Sequence, residues 1–171
     1  MFDSNPPLGL YVHLPWCTKK CPYCDFNSHQ SEAIPEQQYV KALLNDLEQD
    51  LPLVWGRAIE TIFIGGGTPS LFSAAAIESL MSGLRAMLNF VPAIEITMES
   101  NPGSADAANY RGYREAGVNR LSIGVQSFND QNLRTLGRVH DGNQALRAFA
   151  MARGAGFENI NLDLMFGLPA Q

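Results

Sequence analysis

Apolar and polar positions along this chain alternate between two periods. Leu8–Leu14 (LGLYVHL) is a short aliphatic and aromatic run that reads as a strand. The cysteine-bearing stretch that follows reads as a loop, because Pro15 and Pro22 forbid a regular helix through it. Tyr39, Ala42, Leu43, Leu47 and Leu51 then recur at helical spacing, which predicts a helix from about Pro35 to Leu51 with Pro52 as its stop. Ile59–Ile64 (IETIFI) predicts a second strand, ended by Gly65-Gly66-Gly67-Thr68-Pro69. Ala74–Leu88 predicts a helix with Ser73 as its N-cap. Ala93–Glu99 predicts a third strand, and Asp106–Glu115 a helix with Gly117 just past its end. Asn119–Val125 predicts a fourth strand, followed by a helical piece at Asp130–Leu136. A helix over Asn143–Arg153 and a fifth strand over Asn159–Met165 complete the pattern.

Strand and helix thus alternate five times at roughly the 30-residue pitch of a βαβ unit. Short strands in strict alternation with helices imply an α/β fold with a parallel sheet, either doubly wound or part of a barrel. A complete eight-unit barrel takes about 250 residues, and this chain has 171. Its last strand has no following helix, so the expectation is an open parallel sheet of five strands, with residues 1–171 forming the N-terminal part of a longer domain.

Composition narrows the function classes. A hydrophobic content of 46% with 17% charged residues is ordinary for a globular chain. The net charge of −5 and a pI near 5.1 lack the basic footprint of a nucleic-acid partner. No apolar run reaches the roughly 18 residues of a transmembrane helix. The start, Met1-Phe2-Asp3-Ser4-Asn5-Pro6-Pro7, has neither the basic nor the apolar region of a signal peptide. Three cysteines at spacings that suit a shared metal better than disulfides lead to the expectation of a reducing compartment, most simply the cytoplasm.

All three cysteines fall within eight residues, as Cys17-x3-Cys21-x2-Cys24. Such spacing suits a shared soft metal better than disulfides. Three thiolates on a four-iron cluster would leave one iron open to a small molecule. A structural zinc site completed by His13 or His29 is the first alternative; three incidental buried thiols are the second. The Gly65–Pro69 turn allows a ligand to approach the backbone closely, and it is not a P-loop because no Gly-Lys-Ser/Thr follows. Glu99, Gln126, Arg138 and Asp163 sit at or just past the carboxyl ends of the later strands, the edge where parallel α/β sheets bind ligands. Tyr11, on the first strand, would point at the same mouth. For each of these, a cap, turn bond or surface ion pair is the competing account.

The C-x3-C-x2-C spacing, with the aromatic Tyr23 directly before the third cysteine, resembles the signature of the radical SAM superfamily. YVHLPWC…CPYCDFNSH, IFIGGGTPS, ITMESNPG, NRLSIGVQSF, LGRVH and NLDLMFGLP resemble, more narrowly, the oxygen-independent coproporphyrinogen III oxidase family and its heme-chaperone branch, from about Leu8 to Pro169. The resemblance implies a partial (β/α) radical SAM barrel whose three thiolates bind a [4Fe–4S] cluster. The open iron of that cluster is chelated by S-adenosylmethionine (SAM), which the family cleaves to a 5′-deoxyadenosyl radical. Carried over by position, Cys17, Cys21 and Cys24 would be the cluster ligands, and Tyr11, Gly66 and Glu99 would contact the SAM at the cluster. Tyr23, Gly67, Thr68, Gln126, Arg138 and Asp163 would line the same cavity.

Phe26 stands where the true oxidases carry a fourth cysteine. That departure disfavours oxidative decarboxylation of coproporphyrinogen III and favours the chaperone branch, with heme as cargo, heme-requiring proteins as recipients, and a reductant such as flavodoxin or ferredoxin. The branch's His-Asn-x-x-Tyr segment, associated with heme, is not in this sequence. His13 is expected to pack beside the cluster and His29 and His140 to lie in exposed loops. Trp16 and Trp55 are expected to be packing residues, and Lys19-Lys20 a solvated loop tip.

Overall fold

A computed structural model of the protein describes residues 5–31, 33–169 and 171; residues 1–4, on which the reading of the N-terminus partly rests, lie outside that set. The described chain runs β1 (Leu8–Leu14), β2 (Trp16–Cys17), β3 (His29–Gln30), α1 (Glu36–Val54), β4 (Ala58–Gly66), α2 (Ala74–Met87), β5 (Asn89–Ser100), α3 (Ala107–Glu115), β6 (Arg120–Gln126), α4 (Asp130–Thr135), α5 (Gly142–Gly154) and β7 (Asn159–Leu164). One-turn 3₁₀ segments at Pro69–Leu71 and Pro102–Ser104 follow β4 and β5.

Helix α1 starts after Pro35 without a side-chain cap, whereas α2 to α5 start where short polar side chains satisfy free amides. Ser73 accepts from Ala76 N–H, Asp106 from Ala108 and Asn109, Asn129 from Gln131 and Asn132, and Asp141 forms a capping box with Gln144. Ser73 is itself held by Glu36, whose carboxylate accepts from its N–H (2.8 Å) and hydroxyl (2.6 Å), so the start of α1 is joined to the start of α2. The helix over 35–51 runs on to Val54, through Pro52. Proline removes the bond to the carbonyl four residues back, and with two helical residues remaining the defect stays local.

Five strands pair in parallel in the order β1-β4-β5-β6-β7, which is sequence order. Parallel crossovers are right-handed, so strands added always to the same side carry their helices on one face. This is the winding of a barrel, not of a doubly wound sheet, and the sheet does not close. Val12, Leu14, Ile59, Ile62, Ile64, Ile96, Met98, Leu121, Ile123 and Val125 are buried beneath the helices with Ile77, Leu80, Met81, Leu84, Tyr110 and Tyr113. Tyr113 donates to the carbonyls of Ser70 and Phe72, fixing α3 to the segment that follows β4.

Period two places the intervening residues on the opposite face. These are Tyr11 and His13 of β1, Phe63 and Gly65 of β4, Thr97 and Glu99 of β5, Ser122, Gly124 and Gln126 of β6, and Asn161 and Asp163 of β7. The pairing register sets Glu99 beside Ser122 and Ser122 beside Asn161. A polar layer therefore crosses the open face.

Three further expectations are corrected. The cysteine stretch is not loop throughout: β2 and β3 pair in parallel, Trp16 with His29 and Cys17 with Gln30. Trp16 does pack, edge-on to Tyr39 at 4.4 Å between ring centroids, but Trp55 is 83% exposed just after α1. His140 is 4% exposed, with Nε2 bonded to the carbonyl of Val125 at 3.0 Å, because the segment leading into α5 folds back over the end of β6.

Candidate functional site

The cysteine loop is anchored at both ends. His29 N–H donates to Pro15 O (2.7 Å) and Ser31 N–H to Cys17 O (3.1 Å), closing the base. Cys24 N–H donates to Cys21 O (3.0 Å), forming the turn that carries the last two thiols. Lys19 and Lys20 are exposed, as expected of a solvated loop tip, and Lys20 Nζ also donates to Phe26 O at 3.0 Å and Ser28 O at 3.5 Å, stapling the loop across its width. His13 bridges β1 and the loop, bonded through Nδ1 to the Tyr11 hydroxyl (2.9 Å) and through Nε2 to Asn27 O (2.8 Å). His29 is exposed.

The glycine turn docks on this loop. Gly66 has φ +118°, a region that L side chains rarely adopt, and a Cβ there would lie 2.8 Å from the His13 ring. Gly67 lacks the positive φ but has even less room: a Cβ would sit 2.5 Å from Trp16 O. Gly67 N–H donates to Leu14 O (2.8 Å) and Thr68 N–H to Trp16 O (2.7 Å). The turn is glycine-rich because it runs against the backbone that delivers Cys17.

Above the turn lies a cavity of about 150 Å³. Ten of the twelve residues singled out by sequence line it. Cys17, Cys21, Cys24 and Tyr23 come from the loop; Gly67 and Thr68 from the turn; Glu99, Gln126, Arg138 and Asp163 from the sheet edge and beyond. Tyr11 and Gly66 stay outside the lining. Tyr11 is half-exposed, its ring stacked on Phe63 at 6.2 Å, and Gly66 N–H donates to Glu99 Oε2 at 3.0 Å. Sequence motifs do not single out Ser122, Gly124 and Phe26 as lining residues, yet they line the cavity, and Asn161 lies beside it. Ser122 and Gly124 share the alternation of Gln126, which is the signal that could have found them.

Burial raises the Glu99 carboxyl above its ordinary range; the Gly66 N–H opposes that shift and the nearby Asp163 adds to it. Burial likewise raises the Tyr23 hydroxyl, against the pull of Arg138. Asp163 is gripped by Ser122, whose hydroxyl lies 3.1 Å from Oδ2, and by Asn161, whose amide donates to Oδ1 at 2.6 Å. Gln126 holds φ +66°, the positive-φ position among described non-glycine residues. Such strain costs of order 1–3 kcal/mol and is sustained by surrounding contacts; here Met165 N–H donates to Gln126 O at 2.9 Å.

The three thiols are free. Two of them receive donors from distant segments, Thr68 Oγ1 to Cys17 Sγ and Arg138 Nη1 to Cys21 Sγ, both at 3.5 Å. Among the described residues, no three Cys, His, Asp or Glu side chains converge on one point as ligands of a single ion. A cubane asks for a different arrangement, one thiolate on each of three irons, and three thiols around one cavity with a glycine-lined wall fit that demand.

The radical SAM superfamily profile matches residues 11–171. The chain is 54% identical over 167 residues to the heme chaperone HemW of Escherichia coli (strain K12), covering 97% of this chain and 44% of that protein. It is 41% identical to HemW of Bacillus subtilis (strain 168), covering 95% and 43%. It thus spans less than half the length of these curated relatives. Among solved structures, coproporphyrinogen III oxidase (HemN) from Escherichia coli superposes with a TM-score of 0.87 at 37% identity, covering 96% of this chain and 38% of that one. With a five-stranded parallel sheet wound in one direction, a three-cysteine loop at its carboxyl edge and a family match across nearly its whole length, the chain belongs to the radical SAM superfamily.

Proposed function

We propose that this chain supplies the cluster- and SAM-binding part of a heme chaperone of the HemW kind. The carrying observation is that three thiols and the polar ends of three strands share one cavity, in a chain 54% identical to a HemW. Cys17, Cys21 and Cys24 would hold a [4Fe–4S] cluster, which when bound supplies an electron to SAM. Glu99 and Asp163 present carboxylates suited to hydroxyl and amino groups, and Arg138 a fork suited to a carboxylate. Gly67 and Thr68 line the wall beside them. Heme would be the cargo, heme-requiring proteins the recipients, and a flavodoxin- or ferredoxin-like protein the reductant. Among the described residues no helix is long and apolar enough to cross a membrane.

A second reading, a radical coproporphyrinogen III oxidase, is favoured by the 0.87 TM-score to HemN. Phe26 tells against it: a 60% exposed phenyl ring at the cavity rim cannot do the work of the oxidases' fourth thiol.

Anaerobic reconstitution with iron and sulfide, followed by EPR, tests the site. A reduced-cluster signal that shifts when SAM is added is expected; zinc without iron would sink the cluster reading. Heme binding followed by absorbance, without decarboxylation of coproporphyrinogen III by the full-length protein, supports the chaperone. Turnover of coproporphyrinogen III would replace it with the oxidase.

A further inference from the structure

Arg138 reaches the cysteine loop from a segment 117 residues further along the chain. Its guanidinium is placed by one short bond, Nη2–H to Gly124 O at 2.6 Å. That bond leaves Nη1 facing the loop, 3.5 Å from Cys21 Sγ and 3.3 Å from the Tyr23 hydroxyl. Nε is buried without a partner. The fork is therefore not spent on a carboxylate of this chain; its one strongly made bond serves to aim it at a sulfur.

We propose that Arg138, besides lining the cavity, sets the reduction potential of the cluster through its N–H···S bond to Cys21. The proposal rests on the cluster reading above. Reduction adds one negative charge to a cluster whose sulfurs already carry negative charge. A cationic donor at a ligand sulfur stabilises the more negative state, and more so in a partly buried site than in water. Hydrogen bonds to the sulfurs are among the levers that set Fe–S potentials. Arg138 thus raises the potential and eases the cluster's reduction. Thr68 provides an internal comparison: its hydroxyl lies at the same 3.5 Å from Cys17 Sγ but is neutral.

The test is an EPR-monitored redox titration of the full chain, reconstituted anaerobically and reduced with dithionite in the presence of low-potential mediators, alongside iron analysis. Arg138→Gln is expected to make reduction about tenfold less favourable, a shift of about 59 mV to more negative potential for one electron, with iron content unchanged. Thr68→Val is expected to shift the potential the same way by less. Arg147→Gln, which removes one exposed positive charge from α5, should leave it unmoved. Arg138→Lys keeps the charge but not the fork; it should lie between parent and Gln, and it is the variant read if the Gln chain holds no iron. An unmoved potential in an iron-loaded Arg138 variant overturns the proposal, as does a Thr68→Val shift larger than that of Arg138→Gln. A parent chain that takes up no iron instead sinks the cluster reading itself.

Discussion

Gly67→Ala measures how tightly the glycine turn is fitted to the segment that delivers the first cysteine. The added Cβ would fall 2.5 Å from Trp16 O and 2.8 Å from the carbonyl carbons of Pro15 and Trp16. Side-chain carbons essentially never approach within 3.0 Å, so the two backbones must part by at least about 0.5 Å. Both neighbours are main chain, with no rotamer to yield. Overpacking of this kind costs about 1–3 kcal/mol. The separation also strains the bonds from Gly67 N–H to Leu14 O and from Thr68 N–H to Trp16 O, each worth about 1 kcal/mol net. The combined loss is about 2–4 kcal/mol, a large share of the roughly 5–15 kcal/mol that holds a domain together. At about 2–4 °C per kcal/mol for a chain of this size, Tm of the apo-protein should fall by roughly 4–16 °C, followed by far-UV circular dichroism. Iron uptake should fall with it, because Trp16 leads directly into Cys17. Gly154→Ala is the control: a Cβ at that position would have nothing within 4 Å, so Tm should hold or rise. A Gly67→Ala chain that melts within about 2 °C of the parent and takes up iron normally would refute the close-approach argument.

Three further outcomes follow from buried groups. Burial lowers the His140 imidazole below its ordinary 6.5, with Arg138 adding to the shift; the unfolded chain then binds the extra proton, so stability should fall as pH drops through 6.5, and His140→Gln should remove that dependence in urea titrations at stepped pH. Glu99 has the opposite sign: its carboxyl is raised above 4.5 by burial, the folded chain holds the proton longer, and apo-protein Tm should decline as pH rises above 4.5. Glu99→Gln, which can still accept from Gly66 N–H, should flatten that decline. Tyr113→Phe strips the hydroxyl from two buried carbonyls, Ser70 O and Phe72 O; the urea midpoint should move down by the equivalent of about 1–3 kcal/mol at unchanged slope.

Much of the cavity was legible because its residues obey two local rules. Period two puts Glu99 on the face opposite Met98, and Gln126 opposite Val125. Carboxyl-edge placement then collects them at one mouth. Ser122 was not legible because a serine in mid-strand has no motif of its own; it matters only through Asp163 and Asn161, which lie 41 and 39 residues further along the chain. The outward turn of Trp55 and the burial of His140 follow from which segments meet in space, not from the character of either side chain.

The sequence by itself determined the five-fold strand–helix alternation, the cap at Ser73, and the clustering of three thiols, because each depends on neighbours within a few residues. Only the tertiary structure decided that strands wind in one direction, leaving a polar face open, and that β2 pairs with β3 to brace the cysteine loop. It alone set Arg138 against Cys21 and Gly67 against Trp16. Those contacts join segments 117 and 51 residues apart, and parallel pairing, which needs a crossover between every two strands, is what brings such distant positions to one edge.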